Sequence, residues 1–332
     1  MKELIKKLVE TDGPSGYEDR IRELITKECE PYANEIRSDA LGNLIVRKGS
    51  KLNNGKRVMI AGHMDEIGVI VTKIDEKGFI RFTRIGGVRT FTCIGGRVRF
   101  LNGVEGVIYT EDRLAKEFPE FDKLYIDVGV DKIEDCPVKV GDIAVFNRPF
   151  TDLGNGRLIS KALDDRIACA VMIEALKKIK QTDNELYFVF TVMEEIGLVG
   201  AGTSAFGVEP EVALAVDVCG VGDVPGSGPM NVKLGKGPTV KVKDESVIAH
   251  PKVIKWMAQT AEENNLPYQL EVMSGGGTDA GAMYKSRTGA PTGCVSIPTR
   301  YIHSPSEMVD IHDVENAVKF LVALLTLPVK PG

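Results

Sequence analysis

Four short runs of this chain are almost wholly apolar and end at an acid or a histidine. They are RVMIAGH (57–63), YFVFTVMEE (187–195), VALAVDV (212–218) and GCVSIPTRYIH (293–303). A strand with one face in water alternates polar and apolar residues. These runs do not alternate, so they read as strands buried on both faces, the pattern of a parallel sheet. Helical patterns lie around them. DDRIACAVMIEALKKIK (164–180) opens on acids and closes on lysines, as the helix dipole favours. PKVIKWMAQTAEENN (251–265) places Pro in the first turn, and VENAVKFLVALLTL (314–327) is a strongly apolar last helix. MKELIKKLVE is an amphipathic first helix, since a secretory signal would have a continuous apolar core. Strands alternating with helices predict an α/β fold, a mostly parallel or mixed sheet flanked by helices.

Residues 68–155 have another texture. VIVTKI, FIRFTRI, RVRFL, GVIYT, LYIDVGV and GDIAVF are short, partly alternating and separated by Gly or Asn. They predict a small antiparallel β-barrel or sandwich, with EDRLAKEFPEF as a helical patch inside it. Because α/β texture lies on both sides, the barrel is expected as an insertion. Residues 1–67 and 156–332 then form one discontinuous domain and 68–155 a second, which suits a chain of 332 residues.

The polar ends of the runs carry the chemistry. His63 (with Asp65 two residues on), Glu194 and Glu195, Asp217 and His303 all fall at the same end of successive strands, and Asp164 and Asp165 open a helix. In open parallel sheets ligands bind beyond the carboxyl ends of the strands, so these side chains can converge. Two glutamates at the end of a buried strand repel each other and lose hydration unless a positive charge sits nearby. Two histidines and several carboxylates without a thiolate suit Zn²⁺, Co²⁺ or Mn²⁺. Singly, each has a plainer explanation: a hydrogen-bonded structural histidine, a solvated Glu–Glu turn, an Asp cap. Their coincidence favours a metal site. SGGGTDAGA (274–282) is a glycine-rich approach to a helix with Thr278 at the N-cap, and it lacks the Gly-Lys-Ser/Thr of a phosphate loop. His250 and His312 read as structural or exposed, and Trp256 as core.

Composition narrows the partners. A net charge of −5 argues against nucleic acid and anionic membranes, and no apolar run approaches the ~18–20 residues of a membrane span. Six scattered cysteines with no CxxC read as buried thiols of a cytoplasmic protein, neither a disulfide framework nor a zinc knuckle.

In their order and spacing, AGHMDEIG, KALDDR, TVMEEIGLVGA, AVDV and PTRYIHSP resemble the tetrahedral-assembly (TET-like) dinuclear metallo-aminopeptidases. Members of that family are also called glutamyl or deblocking aminopeptidases, or endoglucanase-like proteins. The resemblance runs from TDGPSGYED (11–19) to PTRYIHSPSEM (298–308). It implies an aminopeptidase that removes N-terminal residues from peptides with a free N-terminus, using two divalent ions, zinc or cobalt. His63 and Asp217 would hold one ion, Glu195 and His303 the other, and Asp164 would bridge both. Asp65 would fix the ring of His63. Glu194 would be general base and acid for a water activated by the metals. Neighbours on an extended chain point opposite ways, so 194 and 195 can hold different jobs. Thr278 and Asp279 would contact the substrate. The inserted domain would be a PDZ-like β-barrel that mediates dimer contacts, and the dimers would build a homo-oligomer, a dodecamer.

Two other enzyme classes and a scaffold compete. Related dinuclear metallo-carboxypeptidases and amidohydrolases share the order HxD, EE, D, H. They usually carry their extra domain between the last Asp and His ligands, whereas here it lies between His63 and Asp164. A two-carboxylate glycoside hydrolase leaves the histidines unexplained, and a chain with one Trp and 6% aromatics offers few sugar platforms. A non-catalytic scaffold has no need of Glu194.

Overall fold

The computed structural model describes residues 1–112 and 117–330. Four strands, Glu185–Thr191, Arg57–His63, Val212–Cys219 and Thr292–Arg300, run parallel and side by side in that order. They form the centre of an 11-stranded mixed sheet with antiparallel edges. Leu44–Lys48 and Glu35–Ser38 extend one side, and Glu307–Asp310, Arg157–Ser160 and Thr151–Asp152 the other. Helices cover both faces. Val58 and Ile60 pack with helices Lys2–Glu10, Leu163–Lys178 and Ile311–Thr326, while Met59 and Ala61 pack toward Val199–Val208 and Ala280–Met283. Both parities of the strand are therefore buried, which is why its sequence does not alternate.

Helix Leu163–Lys178 runs under the sheet with nearly every side chain buried, hence its lack of a polar stripe. Gly62 lets it come close. A Cβ at that position would stand 2.8 Å from Met172 Sδ and 3.2 Å from Ala168 Cβ. The helix thereby brings Asp164 and Asp165, at its irregular first turn, against the end of strand Arg57–His63.

Between His63 and the return to the sheet, the chain builds a closed antiparallel barrel. Its six strands are Gly68–Ile74, Ile80–Ile85, Leu124–Asp127, Glu105–Thr110, Arg97–Phe100 and Ile143–Phe146. Val69, Val71, Phe82, Phe100 and Ile126 help fill its own core. Arg99 of the barrel clamps Asp12 beyond the first helix with two hydrogen bonds of 2.6 and 3.1 Å. The insertion thus leaves the sheet five residues past a strand end and is tied back to the parent domain by a buried carboxylate.

Several local expectations need correction. The run 187–195 is a strand only to Thr191, and the run 293–303 only to Arg300. Glu194, Glu195 and His303 lie in the turns that follow, where Met193 and His303 adopt positive φ (55° and 61°). Asp164 and Asp165 have non-helical backbone angles despite opening the helix. Thr278 does not cap Ala280–Met283: that position is Asp279, and the Thr278 hydroxyl donates to Asp244 instead. Part of EDRLAKEFPEF, 113–116, lies outside the described residues. Its remaining described residues are not helical, apart from a 3-10 turn that begins at Phe121. Trp256 is half-buried against the core, His312 is exposed, and His250 caps Pro251–Glu263 by accepting from the Lys252 N–H.

Candidate active site

All five residues expected to hold metal line one cavity of about 350 Å³ beyond the carboxyl ends of the parallel strands. His63 ends its strand, Asp217 sits near the end of the next, and the turns after Thr191 and Arg300 deliver Glu194, Glu195 and His303. Asp164 lies between the histidines. Its Oδ1 is 3.1 Å from His63 Nε2 and its Oδ2 is 3.3 Å from His303 Nε2. Glu195 Oε2 is 3.2 Å from His303 Nε2, and Glu194 Oε2 is 3.9 Å from His63 Nε2. The two glutamates thus face different imidazoles, through turn geometry and not through strand alternation. His63, Glu194 and Asp217 can bring one ligand atom each within 4.8 Å of one another, as can His63, Asp164 and Glu195.

Buried acceptors fix the backbone around these side chains. Asp65 lies with Oδ1 3.3 Å from His63 Nδ1 and accepts the N–H groups of Glu194 (3.0 Å) and Glu195 (3.2 Å) and the hydroxyl of Ser15 (2.6 Å). Glu307 accepts the N–H groups of Asp164 and His303, each at 2.9 Å. Asp165 accepts the N–H of His63 on Oδ2, and it too can bring one ligand atom within 4.8 Å of Asp164 and Asp217. Ser15 and Glu307 escaped sequence reading, since a lone Ser or Glu in a polar stretch gives no signal. So did Gly87, which comes from the barrel. A Cβ there would lie 2.1 Å from His303 Nδ1, so the inserted domain supplies part of the site wall. Thr278 lines the cavity. Asp279 is buried behind it, accepting from the Thr191 hydroxyl at 2.5 Å.

The electrostatics are those of crowded carboxylates. Burial pushes Glu194, Glu195 and Asp217 above the usual carboxylate range, and mutual repulsion adds to it. Burial works against a charged His303, but Asp164 and Glu195 outweigh it and hold the ring at about 11. Burial likewise opposes charge on His63, and Glu194, Asp164 and Asp65 overcome it. Asp164, facing both rings, is held below its ordinary value by them despite its burial. Glu195 Oε1 is buried with no hydrogen-bond partner. Imidazole and carboxylate donors with an orphaned carboxylate oxygen are a set that divalent transition-metal ions fit.

Residues 42–320 match the family described as M42 glutamyl aminopeptidase. The chain belongs to the M42 aminopeptidase family. It is a peptide hydrolase of a metallopeptidase family, which implies metal ions, and the His/Asp/Glu groups of the cavity are candidates to hold them. The M42 chain is 50% identical over 325 residues to a protein of Acetivibrio thermocellus named "Putative aminopeptidase", covering 97% of each. It is similar to the solved structure of an aminopeptidase from the archaeon Desulfurococcus kamchatkensis, with a TM-score of 0.94 and 40% identity, covering 98% of this chain and 94% of that one. It is also similar to the Pyrococcus horikoshii TET1 peptidase, which can assemble into a tetrahedron or a large octahedral shell. There the TM-score is 0.87 and the identity 35%, covering 97% and 98% of the two chains. The M42 fold, with its mixed sheet and inserted six-stranded barrel, is thus shared along nearly the whole chain. No helix among the described residues is long and apolar enough to cross a membrane.

Proposed function

We propose that this aminopeptidase works through a dinuclear metal centre, with Glu194 as its proton carrier. The observation that carries the reading is Asp164, whose two carboxylate oxygens face two different imidazoles at 3.1 and 3.3 Å. His63 and Asp217 would hold one ion and Glu195 and His303 the other, with Asp164 shared. Zinc or cobalt suits these donors. Bound there, the ions would supply Lewis acidity toward the peptide carbonyl and make water more acidic.

The protein's own groups do the rest. Burial, with Asp217, Asp279 and Glu195 behind it, pushes the Glu194 carboxyl well above the usual range against the opposing charge of His63. A carboxyl so placed can take a proton from water at the cavity and pass it to the leaving amine. Asp65 holds the backbone of both glutamates, so Glu194 and Glu195 keep separate stations. Thr278, in the cavity wall, is a candidate contact for the substrate, and Asp279 supports the wall through Thr191.

Peptides with a free N-terminus are the substrates. Residues 1–67 with 156–332 would form one domain and 68–155 the insertion. By the family resemblance the barrel would make dimer contacts, and the dimers would build a homo-oligomer, by likeness to the PhTET1-12s structure a dodecamer. Six free cysteines fit a cytoplasmic setting. Dialysis against a chelator should abolish hydrolysis of an aminoacyl chromogenic substrate, and Zn²⁺ or Co²⁺ should restore it. Cleavage of an N-acetylated peptide as fast as its free-amine form would contradict the assignment.

A further inference from the structure

We propose that this aminopeptidase prefers neutral, apolar N-terminal side chains to acidic or basic ones, because Lys241, the one Lys or Arg in its cavity wall among the described residues, is already paired from behind. The inference rests on the aminopeptidase reading and narrows its substrate class. Away from the metal-type residues, Leu198, Val218, Met273 and the backbone of Gly277 line the cavity. Among the described residues, Lys241 is the only Lys or Arg in that wall. A glutamyl substrate, as the family's description suggests, would need a free cation there.

Lys241 is not free. Its side chain is 1% exposed, and its ammonium donates to Glu271 and lies 3.6 Å from Asp244 Oδ2 and 3.7 Å from Met273 Sδ. Burial works against its charge, and Glu271 overrides this and holds Lys241 above the ordinary lysine range. Glu271 spends its second oxygen on the Thr239 hydroxyl at 2.5 Å. Asp244 is likewise engaged, by the N–H and hydroxyl of Ser246, the N–H of Val247 and the Thr278 hydroxyl. One ammonium and two carboxylates leave the trio at a formal −1. An incoming carboxylate would have to lose its hydration for a cation whose directions are taken, in front of a net negative charge.

A basic side chain fares no better. Neither Glu271 nor Asp244 lines the cavity, among the described residues, and both spend their oxygens on donors behind the wall, so the trio offers an incoming cation no free acceptor. A Leu or Met side chain asks for no charged partner and gains by burial against Leu198, Val218 and Met273. The same trio therefore disfavours both charges and favours neither.

The test is kcat/KM for Leu, Met, Glu and Lys p-nitroanilides on the metal-loaded enzyme. Leu or Met should exceed both Glu and Lys by at least about tenfold, within the range one pocket can discriminate. A Glu or Lys substrate in the lead, or a profile flat within about threefold, would overturn the proposal and leave the aminopeptidase reading standing. No hydrolysis of any free-amine substrate would overturn that reading, and the proposal with it. The wild-type series decides the matter even if variants fail to fold. Glu271→Gln adds a causal check: it uncovers the Lys241 charge and should raise the Glu-to-Leu ratio of kcat/KM at least about tenfold. An unchanged ratio in a folded Glu271→Gln enzyme would remove Lys241 from the selection.

Discussion

The backbone N–H of Glu194 donates to Asp65 Oδ1 over 3.0 Å, and the same oxygen lies 3.3 Å from Nδ1 of His63. One buried carboxylate therefore faces the ring of an expected ligand and holds the backbone of the expected proton carrier. Asp65→Asn puts an amide N–H₂ where one of these acceptors stood. Metal affinity should fall about 10- to 100-fold, the usual cost of losing a carboxylate behind a ligating histidine. Metal titration of the purified variant measures it, and unchanged affinity would leave Asp65 without a positioning role.

Glu307 does the same for the other half of the centre, holding the N–H groups of Asp164 and His303. Glu307→Ala orphans the buried N–H of Asp164, at about 1–3 kcal/mol, and the half-buried N–H of His303, at less. Chemical denaturation of the metal-free protein should show a loss of that order. A variant as stable as wild type would mean that water replaces the carboxylate at no cost.

Gly87 tests the contribution of the barrel to the site. In Gly87→Ala the new Cβ would meet His303 Nδ1 at 2.1 Å, so the ring must move. kcat/KM should drop at least about tenfold, as misplacement by an ångström allows, while the melting temperature stays near wild type. Normal activity in this variant would detach the barrel from the site.

The Arg99–Asp12 clamp predicts a pH dependence. Burial acts to raise the Asp12 carboxyl, but hydrogen bonds from Arg99, with the charges of Lys161 and Arg20, hold it below its ordinary 3.8. A group depressed in the folded state adds stability above its unfolded pKa and loses it as pH falls through the folded one. Arg99→Met should therefore destabilise the protein at pH 7, and its deficit should shrink below about pH 4. Urea midpoints at pH 7 and pH 3.5 would show this; a deficit equal at both pH values would rule out Asp12 as its origin.

Much of this was legible in the sequence, because burial on both faces of a parallel strand leaves an unmistakable apolar run. Strand Arg57–His63 appears with its expected limits. The barrel was legible from its changed texture. Strand ends were not, because Glu194 and His303 sit in turns where Met193, Tyr301 and His303 adopt positive φ, and these residue types do not announce a turn as glycine does. The cis Asp164–Asp165 peptide carries no sequence mark either. Glu307, Gly87 and the pairing of Lys241 with Glu271 depend on segments meeting across the fold, and residue type alone does not reveal such meetings. The chemistry-bearing types were visible, while the groups that position them needed the tertiary structure.

The central claim, that Glu194 moves protons while its neighbour holds metal, is tested most directly by Glu194→Gln. Metal content and turnover should be measured on the same preparation. The account predicts two bound ions per chain as in wild type, with kcat reduced about 10²–10⁴-fold. Near-wild-type kcat would contradict it, and so would loss of one ion, which would make Glu194 a ligand.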